Sequence, residues 1–254
     1  MSGDQPLIEA AVAAPAVARS APLGPSTGLA ALPARVLALQ AAAGNRAVAG
    51  LIRPLAREAT KVTQAVREET TGADNVNWNA VFEVDFDDDT KTCRLTIKVK
   101  LSPDGGVSKD DVSQVKVGVL SKFSLLWDSK FTLHEHNRVF ADVDWLLRPQ
   151  IKFVDSGQHL TIALHPGKGA DNRQNWYVGS PEVTHAHEIS HQMGLLDEYE
   201  DITVKNRKAY TDHSIMGDYY NEGQAEAEAK LRHGERLAKI IGAATDKNLT
   251  ARKT

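Results

Sequence analysis

Cysteine is almost absent: Cys93 is the only one among 254 residues. That excludes an internal disulfide framework and removes thiolate zinc sites such as C-x-x-C, so any metal must be held by imidazole and carboxylate. There is no basic excess either. The net charge is −3, and no electrostatic footprint for nucleic acid is present. No run approaches the roughly 18 apolar residues of a membrane span. Residues 1–6 offer no basic n-region and no long apolar segment follows, so no secretory signal is read and the expected location is the cytoplasm of the producing cell. What is present is ordinary for a globular protein, with 42% hydrophobic and 25% charged residues.

The composition shifts along the chain. Residues 1–30 are rich in Ala, Pro, Gly and Ser and lack aromatics. Such a segment buries too little surface to offset its ordering entropy, and it is expected to be a disordered leader. Residues 31–73 read as a helical arm, broken by the turn signal Gly44-Asn45 and resumed at Pro54 over residues 55–69. From residue 77 the pattern becomes β. Trp78, Ala80, Phe82, Val84 and Phe86 alternate with polar residues, and so do Cys93, Leu95, Ile97, Val99 and Leu101 beyond an Asp-rich turn, which together predict a hairpin. Val115, Val117 and Val119 alternate as a further strand. Residues 150–154 and 159–164 read as another strand pair.

Ser180-Pro181-Glu182 then signals a helix start, with Gly194 as its stop, so the spacing predicts a helix over residues 181–193. On it, His187 and His191 are one turn apart and share a face, and Glu188 stands one residue off that face. Two imidazoles and a carboxylate with one open position make the catalytic arrangement of Zn²⁺. Asp197, six residues after the second His, can swing back as third ligand because Gly194 lets the chain reverse. Glu198 is the alternative. Glu188 can act as general base. His185 is expected to face away from the pair. His134 and His136 sit in a polar stretch that could hold a separate metal. A last helix over residues 222–242 carries Leu231, Leu237, Ala238 and Ile241 as its apolar stripe, with His233 at its surface. Residues 246–254 are expected to fray.

The pattern H-E-x-x-H-x-x-G-x-x-D, followed by Ser214-Ile215-Met216-Gly217, resembles the metzincin clan of zinc peptidases. The resemblance covers residues 182–220. It implies an α+β catalytic domain over residues 74–245, with a twisted mixed β-sheet and an active-site helix. It also implies Zn²⁺ as cofactor, a protein or peptide substrate, and a turn carrying Met216 under the metal site. Some clan members place a Tyr two residues after that Met. Here Asp218 stands there, with Tyr219 and Tyr220 beyond, so either Tyr is a candidate transition-state stabiliser and His213 a candidate supporting residue. A non-enzymatic component that uses the metal for stability is the competing reading, and Glu188 separates the two.

The tract Leu39-Gln40-x-x-Ala43-Gly44-Asn45-x-Ala47-Val48 resembles a segment near the N-termini of proteins associated with bacterial extracellular contractile injection systems. That resemblance implies packaging through residues 31–60, delivery out of the producer or into a target cell, and a toxin or effector role.

Overall fold

A computed structural model describes residues 59–72, 75–137 and 141–254. The leader, the arm up to residue 58 and the tract that resembles injection-system proteins lie outside them. The described chain is a mixed α+β unit. Its strands are β1 (Thr60–Glu68), β2 (Val76–Asp87), β3 (Thr92–Pro103), β4 (Phe131–Glu135), β5 (Val143–Phe153), β6 (Leu160–His165), β7 (Asn175–Tyr177) and β8 (Leu249–Lys253). Its helices are α1 (Lys109–Trp127), α2 (Glu182–Ser190), the single turn α3 (Tyr219–Glu222) and α4 (Leu231–Thr245).

The eight strands form one curled sheet in the order β1-β2-β3-β5-β4-β8, with β6 and β7 branching from β3. The expected hairpin is β2–β3, in the register Glu83↔Thr96 to Asp87↔Thr92. β3 is the spine, with Cys93, Leu95, Ile97 and Val99 fully buried. It runs parallel to β5 over Thr92–Val99 and parallel to β6 over Val99–Pro103. β5 and β6 therefore do not pair with each other as a hairpin; each docks on β3 instead.

Four other expectations are corrected. Residues 109–127 are helix, not strand. Ser108 and Asp111 close a reciprocal capping box, and Val115, Val119, Phe123 and Leu126 recur at helical spacing and are buried. Val117, the middle of the apparent alternation, is 68% exposed. Thr60–Glu68 is strand, not helix, because Val62 and Val66 bury one face while all nine residues pair with β2. The folded unit thus begins before residue 74. Residues 249–253 do not fray; they pair with β4. Finally, the last long helix starts at Leu231, not residue 222, and His233 is buried. Of the expected stripe, Leu237, Ala238 and Ile241 are buried, while Leu231 is largely exposed.

The sheet and α1 position α2. In α1, a Cβ at Gly118 would lie 2.5 Å from Glu182 Cγ, so glycine is what lets the two helices approach this closely. The fully buried Trp127 donates its indole N–H to Ser190 Oγ at 3.0 Å, and Ser190 in turn donates to the Ala186 carbonyl at 2.7 Å. Buried polar groups are thereby satisfied along the inner face of the helix that carries the motif.

Candidate metal centre

α2 runs from Glu182 to Ser190, and a single 3₁₀ turn, His191–Met193, continues it. Pro181, not Ser180, is the N-cap residue, and no side chain caps it. Gly194 ends the turn with φ +86, where a side chain would be strained and a Cβ would stand 2.9 Å from Ile240 Cδ1. β2 braces the same turn: the Trp78 indole N–H donates to the His191 carbonyl at 3.1 Å, and Gln192 donates to the Val81 carbonyl at 3.1 Å.

Both imidazoles are oriented by their far nitrogens. His187 Nδ1 donates to the Ile215 carbonyl at 2.8 Å, and His191 Nδ1 donates to the Leu195 carbonyl at 2.9 Å. A carbonyl can only accept, so these bonds place a proton on each Nδ1 and turn both Nε2 atoms toward Asp197 as the positions a cation would take. The two Nε2 atoms lie 3.2 and 3.3 Å from Asp197 Oδ1. That oxygen is buried without a hydrogen-bond partner. Three buried ligand atoms thus converge on one point. Without a cation the imidazoles must carry protons that hold the carboxylate; a cation among the three atoms takes the place of those protons. The donor set, two imidazole nitrogens and one carboxylate oxygen, fits a divalent metal ion.

The chain after Gly194 brings Asp197 in. Glu198 N–H donates to the Met216 carbonyl at 2.6 Å, and Lys205 N–H donates to the Glu69 carbonyl at 2.7 Å, which ties the segment to the turn at 214–217 and to the end of β1. Behind Asp197, Tyr199 donates its hydroxyl to Oδ2 at 3.3 Å, and Arg207 Nη2 lies 3.5 Å from the same oxygen. Arg207 also clamps Glu68 with two bonds of 3.1 Å, and both of these side chains are almost fully buried. Burial works against a charged Asp197, but the two imidazoles outweigh it and hold the carboxyl well below the usual range.

Asp197 and Glu198 are neighbours with different fates. Glu198 points to Arg232, which donates to both of its oxygens at 2.7 Å, and to His233 at 3.0 Å and Ser214 at 2.5 Å. Burial would raise its pKa, yet these donors bring it down to about 2. Arg232, near the start of α4, anchors this cluster and also donates to Asp212.

Glu188 stands beside the pair, with Oε1 3.9 Å from His187 Nε2. Burial raises its pKa, opposed by the two imidazoles. A cavity of about 580 Å³ opens here, lined by Asp171, His187, Glu188, Tyr199 and Tyr219 among others. Tyr219 is buried, with its ring 5.4 Å from that of His187, whereas Tyr220 is largely exposed and bonds Thr184 through its hydroxyl at 2.6 Å. Met216 is fully buried within a turn closed by a Gly217 N–H to Ser214 carbonyl bond, and the turn presents the Ile215 carbonyl to His187. His213 is not brought to the centre; its ring faces Glu226 at 3.3 Å and is about half exposed. His185, expected to face away, is fully buried and stacked on Trp176 at 4.5 Å.

Trp78, Glu68 and Arg207 carry no motif spacing, and sequence reasoning missed their part in the centre. Arg173 was missed too; its guanidinium lies 4.3 Å over the Trp78 ring. The one available signal was Trp78 opening an apolar alternation.

No family model matches the chain, and no solved structure matches it. Glycine-rich domain-containing protein 1 of Arabidopsis thaliana is 26% identical over 191 residues, which cover 66% of this chain and 23% of that protein. The chain therefore corresponds to less than a quarter of that relative's length. Among the described residues, no helix is long and apolar enough to cross a membrane.

Proposed function

We propose that this protein is a zinc-dependent peptidase of metzincin-like construction. The observation that carries the reading is the convergence of His187 Nε2, His191 Nε2 and the orphaned Asp197 Oδ1 beside the Glu188 carboxylate, at the wall of an open cavity. Bound there, Zn²⁺ would lower the pKa of water toward about 7 and polarise a peptide carbonyl. The rest of the chemistry belongs to the chain. Glu188 takes the proton from the attacking water and passes it to the leaving amine. Asp197, held by Tyr199 and Arg207, fixes the geometry of the third ligand. Tyr219, on the His187 side of the cavity, is the better placed of the two tyrosines to hydrogen-bond a developing oxyanion. Carriage by a contractile injection particle, and with it a toxin or effector role, rests on the tract at residues 39–48 alone.

The test is zinc content together with hydrolysis of casein and of a broad peptide library, wild type against Glu188→Ala. The expected result is equal zinc in both proteins, cleavage by the wild type, and loss of at least about a hundredfold in rate in the variant. Equal zinc with no cleavage by either protein would favour a metal that serves stability only.

A further inference from the structure

We propose that His134, His136 and Asp142 form a second divalent-cation site, at the C-terminal end of β4, between β5 and β8, and independent of the buried centre. Residues i and i+2 of a strand point to the same face, so His134 at the end of β4 and His136 just beyond it bring their rings together, with centroids 4.5 Å apart. Asp142, which precedes β5, turns one oxygen toward both. Its Oδ2 is 3.3 Å from His134 Nε2 and 3.9 Å from His136 Nδ1. The three ligand atoms lie within 4.8 Å of one another. Ligands at zinc–nitrogen and zinc–oxygen distances stand roughly 3.3–3.6 Å apart, so only small side-chain rotations separate the cluster from coordination.

The nitrogens not facing the metal position are already engaged, as at the buried centre. His134 Nδ1 lies 2.8 Å from Asp144 Oδ1, and Arg252 holds that carboxylate on its other oxygen. An anionic carboxylate accepts only, so Nδ1 carries a proton for Asp144; Nε2 faces Asp142 Oδ2 at 3.3 Å, and a cation bound there would replace the proton on that nitrogen. His136 Nε2 is 3.2 Å from Thr250 Oγ1, a partner that can accept its proton and leave Nδ1 free. Asp142 Oδ1 accepts from the Asn137 N–H at 2.9 Å, which holds the carboxylate while Oδ2 faces the rings. Two imidazoles and one carboxylate select the same borderline metals as the buried set, Zn²⁺, Ni²⁺ or Cu²⁺, and solvent supplies the remaining positions. Through Thr250 the site would tie β8 to β4 and to the start of β5.

The full chain, stripped with a chelator and then dialysed against Zn²⁺, should take up one zinc more than its His134→Ala/His136→Ala variant. Asp142→Asn should lose the same equivalent, while His187→Ala should lose a different one and leave this one in place. The ¹⁵N shifts of the His134 and His136 rings should move on titration with Zn²⁺. The proposal is overturned if the double variant binds as much zinc as the wild type. It is equally overturned if those ring shifts follow pH but not zinc, since the cluster is then an ion pair only. Because the readout is a difference between variants, it stands whether or not the buried centre proves to be catalytic.

Discussion

Among the described residues stand two histidine–histidine–aspartate clusters built from the same donors, and they differ in almost everything else. One lies on a helix, with histidines at i and i+4, and is buried and braced by Arg207 and Glu68. The other is built on a strand, with histidines at i and i+2, and is largely solvated and braced by Asp144 and Arg252. In water charged imidazole and carboxylate groups are solvated; in the interior they must satisfy one another or a cation. The buried cluster therefore presses for a cation, and the exposed one only permits it.

The sharpest way to break this comparison is to remove the brace on each side. Arg207→Ala leaves Glu68 and Asp197 buried without their guanidinium and should cost about 3–5 kcal/mol by chemical denaturation. Arg252→Ala, on a side chain that is 60% exposed, should cost no more than about 1 kcal/mol. Equal costs would mean that burial does not separate the two clusters. Metal removal comes next. A chelator should lower the melting temperature through the buried centre, the loss corresponding to about 3 kcal/mol at free zinc a hundredfold above Kd, and His187→Ala should abolish most of that response. A response that survives His187→Ala and vanishes in His134→Ala would reverse the ranking.

The adjacent carboxylates give a finer test. Asp197→Asn should lose the buried zinc. Glu198→Gln should keep it and lose about 2 kcal/mol of stability, since it weakens the charge-assisted bonds from Arg232 and His233. Loss of zinc in Glu198→Gln alone would exchange the roles of the two residues. Smallest of all, His213→Ala should change stability by less than about 0.5 kcal/mol and leave any hydrolysis unchanged, because its half-exposed ring faces an exposed Glu226 and its backbone bond to Glu222 survives the change.

Helical spacing made the first cluster legible in the sequence. H-E-x-x-H and Gly194 specify their own geometry, and the β2–β3 hairpin announced itself by alternation. What stayed hidden depended on tertiary context. The V-x-V-x-V run in α1 mimics a strand, and the weaker signal, the Ser108–Asp111 capping box, was the one that prevailed. Thr60–Glu68 and Leu249–Lys253 become strands because a partner strand is waiting, β2 for one and β4 for the other. Arg207 and Glu68 have no local pattern at all, since their relation is made across 139 positions of chain.

That separation has a kinetic consequence. The indole of Trp78 reaches the His191 carbonyl across 113 positions, and Gln192 reaches the Val81 carbonyl across 111. Contacts this distant in sequence close large loops and are slow to form. The helix bearing both histidines can form early from local signals, but the ligand set is complete only when β1, β2 and the segment after Gly194 have all converged. During refolding, zinc uptake at this centre should therefore lag behind helix formation and mark the last step of assembly.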